Sequence, residues 1–202
     1  MDDPDTGFAP IAGPDARVLL LGSMPSQASL AAGQYYGHPR NAFWWIMGRL
    51  FGAGPDLPYP ERCSILTDHG LAVWDSLRSC SRPGSLDSAI VRTSEVANDF
   101  RGFFSAHPGI ERIGFNGRKA EQAFLRHSRG DLSVLAESPE LVLLPSTSPA
   151  MAGMSREQKL GRWREALNPA HFGGPGFPEV LDREGQRTGH GDPVRLEPES
   201  RS

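Results

Sequence analysis

Four short apolar runs mark the chain, each stopping at a cluster of glycine, proline or small polar residues. Residues 18–21, Val-Leu-Leu-Leu, are apolar at every position, the pattern of a central parallel strand covered on both faces. Residues 71–74, 110–115 and 141–144 read as three further strands, the last of them also fully buried. Helical spacing fills the intervals. Phe43, Trp44, Ile46, Met47, Leu50 and Phe51 recur every three or four positions, which predicts a helix closed by Gly52-Ala53-Gly54-Pro55. A short helix is expected over 61–69, stopped by Gly70, and another through Phe103, Phe104 and His107 behind a cap at Asn98 or Asp99. Ala120, Ala123, Phe124 and Leu125 share one helical face after the Asn116-Gly117 turn. Ser155 caps a last helix carrying Leu160, Trp163 and Leu167.

Strands alternating with helices predict an α/β fold, a three-layer α/β/α sandwich around a four-stranded, mostly parallel sheet. Right-handed crossovers gather the strand ends at one edge, where open α/β sheets build their ligand sites. Those ends are residues 22–26, 74–76, 115–117 and 145–149, all polar or small. The Pro- and Gly-rich residues 1–15 read as an extended N-terminal arm, 16–168 as the catalytic domain, and 169–202 as a disordered polar tail.

Composition narrows the classes. A chain of 202 residues with 38% apolar content can bury one full core. The net charge of −3 is unevenly spread: residues 1–16 carry four Asp and no base, and 171–202 carry six acids against four Arg, leaving 17–170 at +3. A mildly positive body permits a nucleic-acid partner without demonstrating one. Cys63 and Cys80 stand alone, so no disulfide framework, zinc site or iron–sulfur cluster is expected. No membrane-length apolar run and no basic-then-apolar leader is present, and a soluble, cytoplasmic protein is the expectation.

Singly, the chemistry-bearing residues have ordinary explanations. Tyr36 beside Tyr35 fits a half-buried aromatic cluster. His38 fits a surface loop, Asn41 a helix cap, Asn116 a strand-to-helix turn, and Ser146-Thr147-Ser148 a run of capping hydroxyls.

The combination is more specific. Gly22-Ser23-Met24-Pro25-Ser26, Gln34-Tyr35-Tyr36-Gly37-His38-Pro39-Arg40-Asn41-Ala42-Phe43-Trp44, Phe115-Asn116-Gly117-Arg118-Lys119-Ala120 and Leu144-Pro145-Ser146-Thr147-Ser148-Pro149-Ala150 occur in this order, the first, third and fourth at predicted strand ends and the second between the first strand and the aromatic helix. This resembles the uracil-DNA glycosylase superfamily, and within it the hypoxanthine-DNA (deoxyinosine) glycosylase family, as do Trp74-Asp75-Ser76-Leu77 and Arg82-Pro83-Gly84-Ser85-Leu86-Asp87-Ser88. The resemblance covers about residues 8 to 167. It implies a monofunctional DNA repair enzyme that flips a deaminated base from DNA and hydrolyses its N-glycosidic bond, leaving an abasic site, without metal or cofactor and as a monomer.

The resemblance also assigns roles. Related mismatch enzymes hold the attacking water with an Asn in the first motif, where this chain has Met24, and the classical uracil enzymes place an Asp in that motif. The resemblance moves the role to Asn41, which can orient water but cannot act as a general base. Tyr36, or second Phe43, is the implied base-stacking ring. Asn116 and backbone groups near Gly22, Ser23 and Ser26 would read the base. Ser26 and the loop Ser146, Thr147, Ser148 and Pro149 would hold DNA phosphates, with Ala150, Met151 or Met154 filling the gap left by the flipped base. Lys119 is expected to face phosphate or solvent rather than form a Schiff base.

Three alternatives are distinguishable. A uracil/thymine mismatch glycosylase of the same fold would favour uracil over hypoxanthine. A serine hydrolase would use Ser146 or Ser148 with His38, but no Gly-x-Ser-x-Gly elbow is present. A non-catalytic nucleic-acid-binding module would leave every substrate intact.

Overall fold

The computed structural model describes residues 4–168; the expected tail lies outside them. In chain order the strands are β1 (Asp5–Thr6), β2 (Val18–Gly22), β3 (Leu71–Asp75), β4 (Leu77–Cys80), β5 (Val96–Ala97), β6 (Arg112–Asn116) and β7 (Glu140–Leu144). The α-helices are α1 (Gln27–Ala32), α2 (Phe43–Phe51), α3 (Tyr59–Asp68), α4 (Phe100–Ala106), α5 (Arg118–His127) and α6 (Arg156–Ala166). The main sheet has the order β3-β2-β6-β7 with every pair parallel, as its alternation with helices requires. Its first strand is central and wholly buried.

Register sorts the side chains into two layers, because successive residues of a strand point to opposite faces. Trp74, Leu21 and Phe115 align across three strands. On their face Trp74 meets Phe100 and Phe103, and Phe115 meets Phe124, so α4 and α5 cover it. On the other face Phe43 of α2 packs edge-on against Trp163 of α6 at 5.9 Å. Gly114 lies beneath this layer, where a Cβ would meet Leu20 and Leu144 at 3.0 Å.

Three expectations change. Strand β7 is not fully buried. It is an edge strand, and Leu141 and Leu143 on one of its faces are each 40% exposed, since an unbroken apolar run does not reveal whether a strand is central. A second, antiparallel sheet, β1-β4-β5, was invisible because its strands are two to four residues long. The N-terminal segment is laid along the domain: Gly7 N–H donates to the Arg78 carbonyl, and Ile11 exchanges backbone hydrogen bonds of 2.8 and 2.9 Å with Val73. That bridge covers part of the outer edge of β3, a common device against edge pairing.

Candidate active site

The centre of the site is a glycine between two polar side chains. Gly22 ends β2, Asp75 pairs with it at the end of β3, and Asn116 follows Phe115, the partner of Leu21, at the end of β6. All three belong to the face that carries α2. A Cβ on Gly22 would overlap Asp75 Oδ1 and come within 3.1 Å of Tyr36 Oη. The missing side chain therefore leaves room for the carboxyl and the phenol.

Tyr36 reaches this point through strained backbone. Its φ of 54° is the only positive value outside glycine among the described residues, a conformation costing about 1–3 kcal/mol that concentrates at functional sites. The ring stacks on Phe43 at 3.9 Å and 20°. Phe43 is itself fully buried, so in this state it backs Tyr36 instead of presenting a free face. Neighbouring contacts hold the loop: Tyr35 Oη donates to the Phe8 and Ala9 carbonyls and Trp44 Nε1 to the Tyr35 carbonyl.

Asn41 stands at the entrance to α2, half-buried. Its Oδ1 accepts the Phe43 N–H at 2.9 Å, and its own N–H donates to the His38 carbonyl at 2.8 Å. The Oδ1 contact is a local turn bond one residue before the N-cap of α2, Ala42, while Nδ2 has no partner among the described residues. His38 Nδ1 accepts from the Arg40 N–H, an ordinary loop contact.

The first motif is committed to structure in its side chains. Met24 is 6% exposed and packs with Leu77, Cys80, Ile90 and Ala123, so the position where related enzymes carry a polar group points here into the core. Ser23 Oγ donates to Asp87 Oδ1 at 2.7 Å. Ser26, expected at the DNA backbone, caps α1, its Oγ accepting the Ser29 N–H. That six-residue helix carries no apolar period in its Gln-Ala-Ser-Leu-Ala-Ala sequence.

Thr147 requires a correction. It was expected to touch phosphate through its side chain, yet it is 1% exposed. Its N–H donates to Asn116 Oδ1 at 2.8 Å, its Oγ1 accepts Asn116 Nδ2 at 2.9 Å, and its carbonyl accepts the Ala42 N–H at 3.0 Å. Thr147 therefore clasps the ends of β6 and β7 to the start of α2, and the Asn116 carboxamide is engaged at both ends. Gly117, with φ of 99°, makes the approach possible: a Cβ there would lie 2.9 Å from Ser146 Cβ. Beyond the clasp the loop emerges. Pro149 and Ala150 are exposed, and Met151 and Met154 are 55% and 39% exposed. Trp163 Nε1 and Lys159 Nζ anchor the loop from α6 by donating to the Pro145 and Met151 carbonyls.

Lys119 also differs from expectation. Its Nζ is 2.6 Å from Glu95 Oε1, and Arg126 and His127 meet the other oxygen of the same carboxylate. Burial alone would raise the Glu95 pKa, but hydrogen bonds from Lys119 and His127 and the charges of Lys119 and Arg126 hold it at about 2. Lys119 ties α5 to the residue just before β5.

Asp75 belongs to one of the motifs but receives no role from it, although an acid closing a wholly apolar strand is a visible signal. It is 3% exposed, and Oδ2 has no hydrogen-bond partner. Burial, then repulsion from Asp87, outweighs attraction by Arg82 and pushes its pKa up to about 8. Burial and the neighbouring Asp75 also push the Tyr36 phenol upward; Asn116 opposes this from nearby, but Oη completes no hydrogen bond. A neutral carboxyl and a neutral phenol thus share the slot above Gly22. Among the described residues no group of three or more His, Cys, Asp or Glu is arranged for a metal ion, and no helix is long and apolar enough to cross a membrane.

Comparison with known proteins identifies the family. The family model of the uracil DNA glycosylase superfamily matches residues 10–170. A protein of Methanosarcina acetivorans described as a hypoxanthine DNA glycosylase is 34% identical over 156 residues, which span 76% of this chain and 92% of the relative. A protein of Methanosarcina barkeri with the same description is 30% identical over 162 residues, 80% and 96% of the two chains. The solution structure of a Methanosarcina acetivorans protein, presented as a candidate uracil DNA glycosylase, superposes with a TM-score of 0.67 at 32% identity, covering 82% of this chain and 97% of that one. The chain therefore belongs to the uracil DNA glycosylase superfamily.

Proposed function

We propose that this protein removes hypoxanthine from DNA by hydrolysing the N-glycosidic bond of a flipped deoxyinosine, leaving an abasic site. The observation that carries the choice is the inward-turned Met24, which leaves the first motif without a side chain able to hold the attacking water. Asn41 Nδ2, unpartnered at the mouth of α2, is the substitute. The descriptions of the two Methanosarcina relatives support the same base.

In this reading the base enters against Tyr36, whose strained backbone and Phe43 support hold the ring in place. The bond breaks dissociatively, toward an oxocarbenium-like sugar, so catalysis rests on stabilising the departing base and on placing water. A carboxamide suffices for the second task, because water attacks a cation and needs little activation. Pro149, Ala150 and Met151 project from the anchored loop, with Met151 the apolar wedge for the vacated stack and Ser146 and Ser148 beside the phosphates. The protein acts as a monomer.

The test uses oligonucleotides containing inosine, uracil or a thymine mismatch, with alkaline cleavage of abasic sites. Wild type is expected to cut at inosine, and Asn41→Ala to be slower by about 10²–10³-fold. Strong cutting at uracil with inosine intact would move the protein to the uracil/thymine reading. Equal binding of all duplexes without cutting would make it a binding module.

A further inference from the structure

Asp75 has no structural employment equal to its cost. Its backbone is pinned: the carbonyl accepts Asn98 Nδ2 at 2.7 Å, and Gly22, its partner in the β2–β3 ladder, accepts the Ser76 N–H at 2.8 Å. The side chain is not paired in return. Arg82, the nearest opposing charge, donates through Nη2 to Asp5 Oδ2 and the Pro25 carbonyl instead. A buried acid without a partner costs stability, and such groups persist where they serve chemistry. The position is equally specific: one end of the sheet, the face that carries Tyr36, and the slot opened by Gly22.

We propose that Asp75 is the general acid of the reaction, donating its carboxyl proton to N7 of the departing hypoxanthine. This rests on the glycosylase reading above and adds a residue to it. As C1′–N9 breaks, the bonding pair passes to the base and the Asp75 Oδ–H proton passes to N7. The base leaves as neutral 7H-hypoxanthine and Asp75 remains as carboxylate. Water held by Asn41 adds to C1′, and the proton it releases returns Asp75 to its neutral form. Nitrogen N7 is the basic ring nitrogen of a 9-substituted hypoxanthine, and protonating it replaces an anionic leaving group by a neutral one. Proton transfer of this kind contributes about 10²–10⁴-fold.

The groups facing Asp75 are few. Asp87 and Arg82 approach from the loop after β4, and Tyr36 and Tyr35 from the loop before α2; its ladder partner Gly22 does not titrate. With Asp75 titrating at about 8, the acid form dominates at neutral pH and is lost above it.

Single-turnover rates on inosine DNA, between pH 5.5 and 9.5, test this with the full chain as wild type and Asp75→Asn. Asparagine keeps the shape and one hydrogen-bond donor but has no proton to transfer. Wild type is expected to slow as pH rises through about 8, and Asp75→Asn to be slower by about 10²-fold or more at pH 7 with that alkaline fall abolished. On DNA containing 7-deaza-2′-deoxyinosine, which has no N7 lone pair, the two proteins should run at nearly equal rates. If wild type cuts inosine and Asp75→Asn stays within about threefold of it, keeps the alkaline fall, or is equally impaired on the 7-deaza substrate, Asp75 is not the acid while the glycosylase reading stands. If wild type fails to cut inosine at all, the glycosylase reading falls first.

Discussion

Replacing Asp75 by Asn should stabilise the protein, and by an amount that depends on pH in a calculable way. The folded protein holds the Asp75 proton up to about 8, whereas the unfolded chain releases it near the ordinary 3.8. Between these values the native state binds more protons, so the Asp75 contribution favours folding below about 4 and is lost as pH rises toward 8. The slope is about 1.4 kcal/mol per pH unit. Between pH 5 and pH 7 wild type therefore loses about 2–3 kcal/mol that Asp75→Asn retains. Titrating groups that do not interact with Asp75 are common to both proteins and cancel in the difference; Asp87, which repels it, does not. Urea unfolding at pH 5, 6, 7 and 8, with midpoints converted through a shared m-value, measures it. The advantage of Asp75→Asn should grow through the series and level off above pH 8. A difference that is flat with pH, or that shrinks, would mean that the carboxyl is ionised in the native state, and the general-acid argument would lose its premise.

Gly22→Ala should cut excision by about 10²-fold, the usual consequence of an ångström-scale displacement in a catalytic site, because its Cβ would overlap Asp75 Oδ1 and crowd Tyr36 Oη; single-turnover cutting of inosine DNA measures it, and near-normal rates would show that the slot is not used. Thr147→Val keeps the volume but strands the Asn116 Nδ2 donor that now meets Oγ1 at 2.9 Å, which should cost about 1–3 kcal/mol in urea unfolding. Glu95→Gln should lower the melting temperature at pH 7, since Lys119, Arg126 and His127 all converge on that carboxylate. Its folded pKa of about 2 lies below the ordinary 4.5, so its contribution is present above about 4.5 and fades as pH falls toward 2. Thermal melts across that range should show the gap between the two proteins closing.

The four strands of the main sheet and most helices are legible because each is a local pattern. The continuous run at 18–21, the three-and-four spacing from Phe43 to Phe51, and the Asp99 cap accepting the Gly102 N–H at 2.9 Å are each contained within about a dozen residues. What failed to show depends on neighbours distant in sequence. Leu141 and Leu143 look as buried as Leu19 and Leu21, and only the strand order leaves them half-open at an edge. Lys119 belongs to Glu95, 24 residues away, and Thr147 to Asn116, 31 residues away.

The site divides along the same line. Motifs pick out the residues whose type is unusual for their surroundings, Tyr36, Asn41 and Asn116, but they assign each a role in isolation. The geometry redistributes those roles: Asn116 spends both ends of its carboxamide holding Thr147, Phe43 supports Tyr36, and Met24 belongs to the core. Removing a polar side chain from the first motif would leave a glycosylase with less polar chemistry in the slot unless another group supplied it. Asp75 sits directly across the ladder from the end of that motif's strand, with an unpaired buried oxygen. In the mechanism proposed above, the loss at Met24 and the unexplained acid at Asp75 have a single account: water is held from Asn41 at the mouth of α2, and the leaving base is served from the sheet.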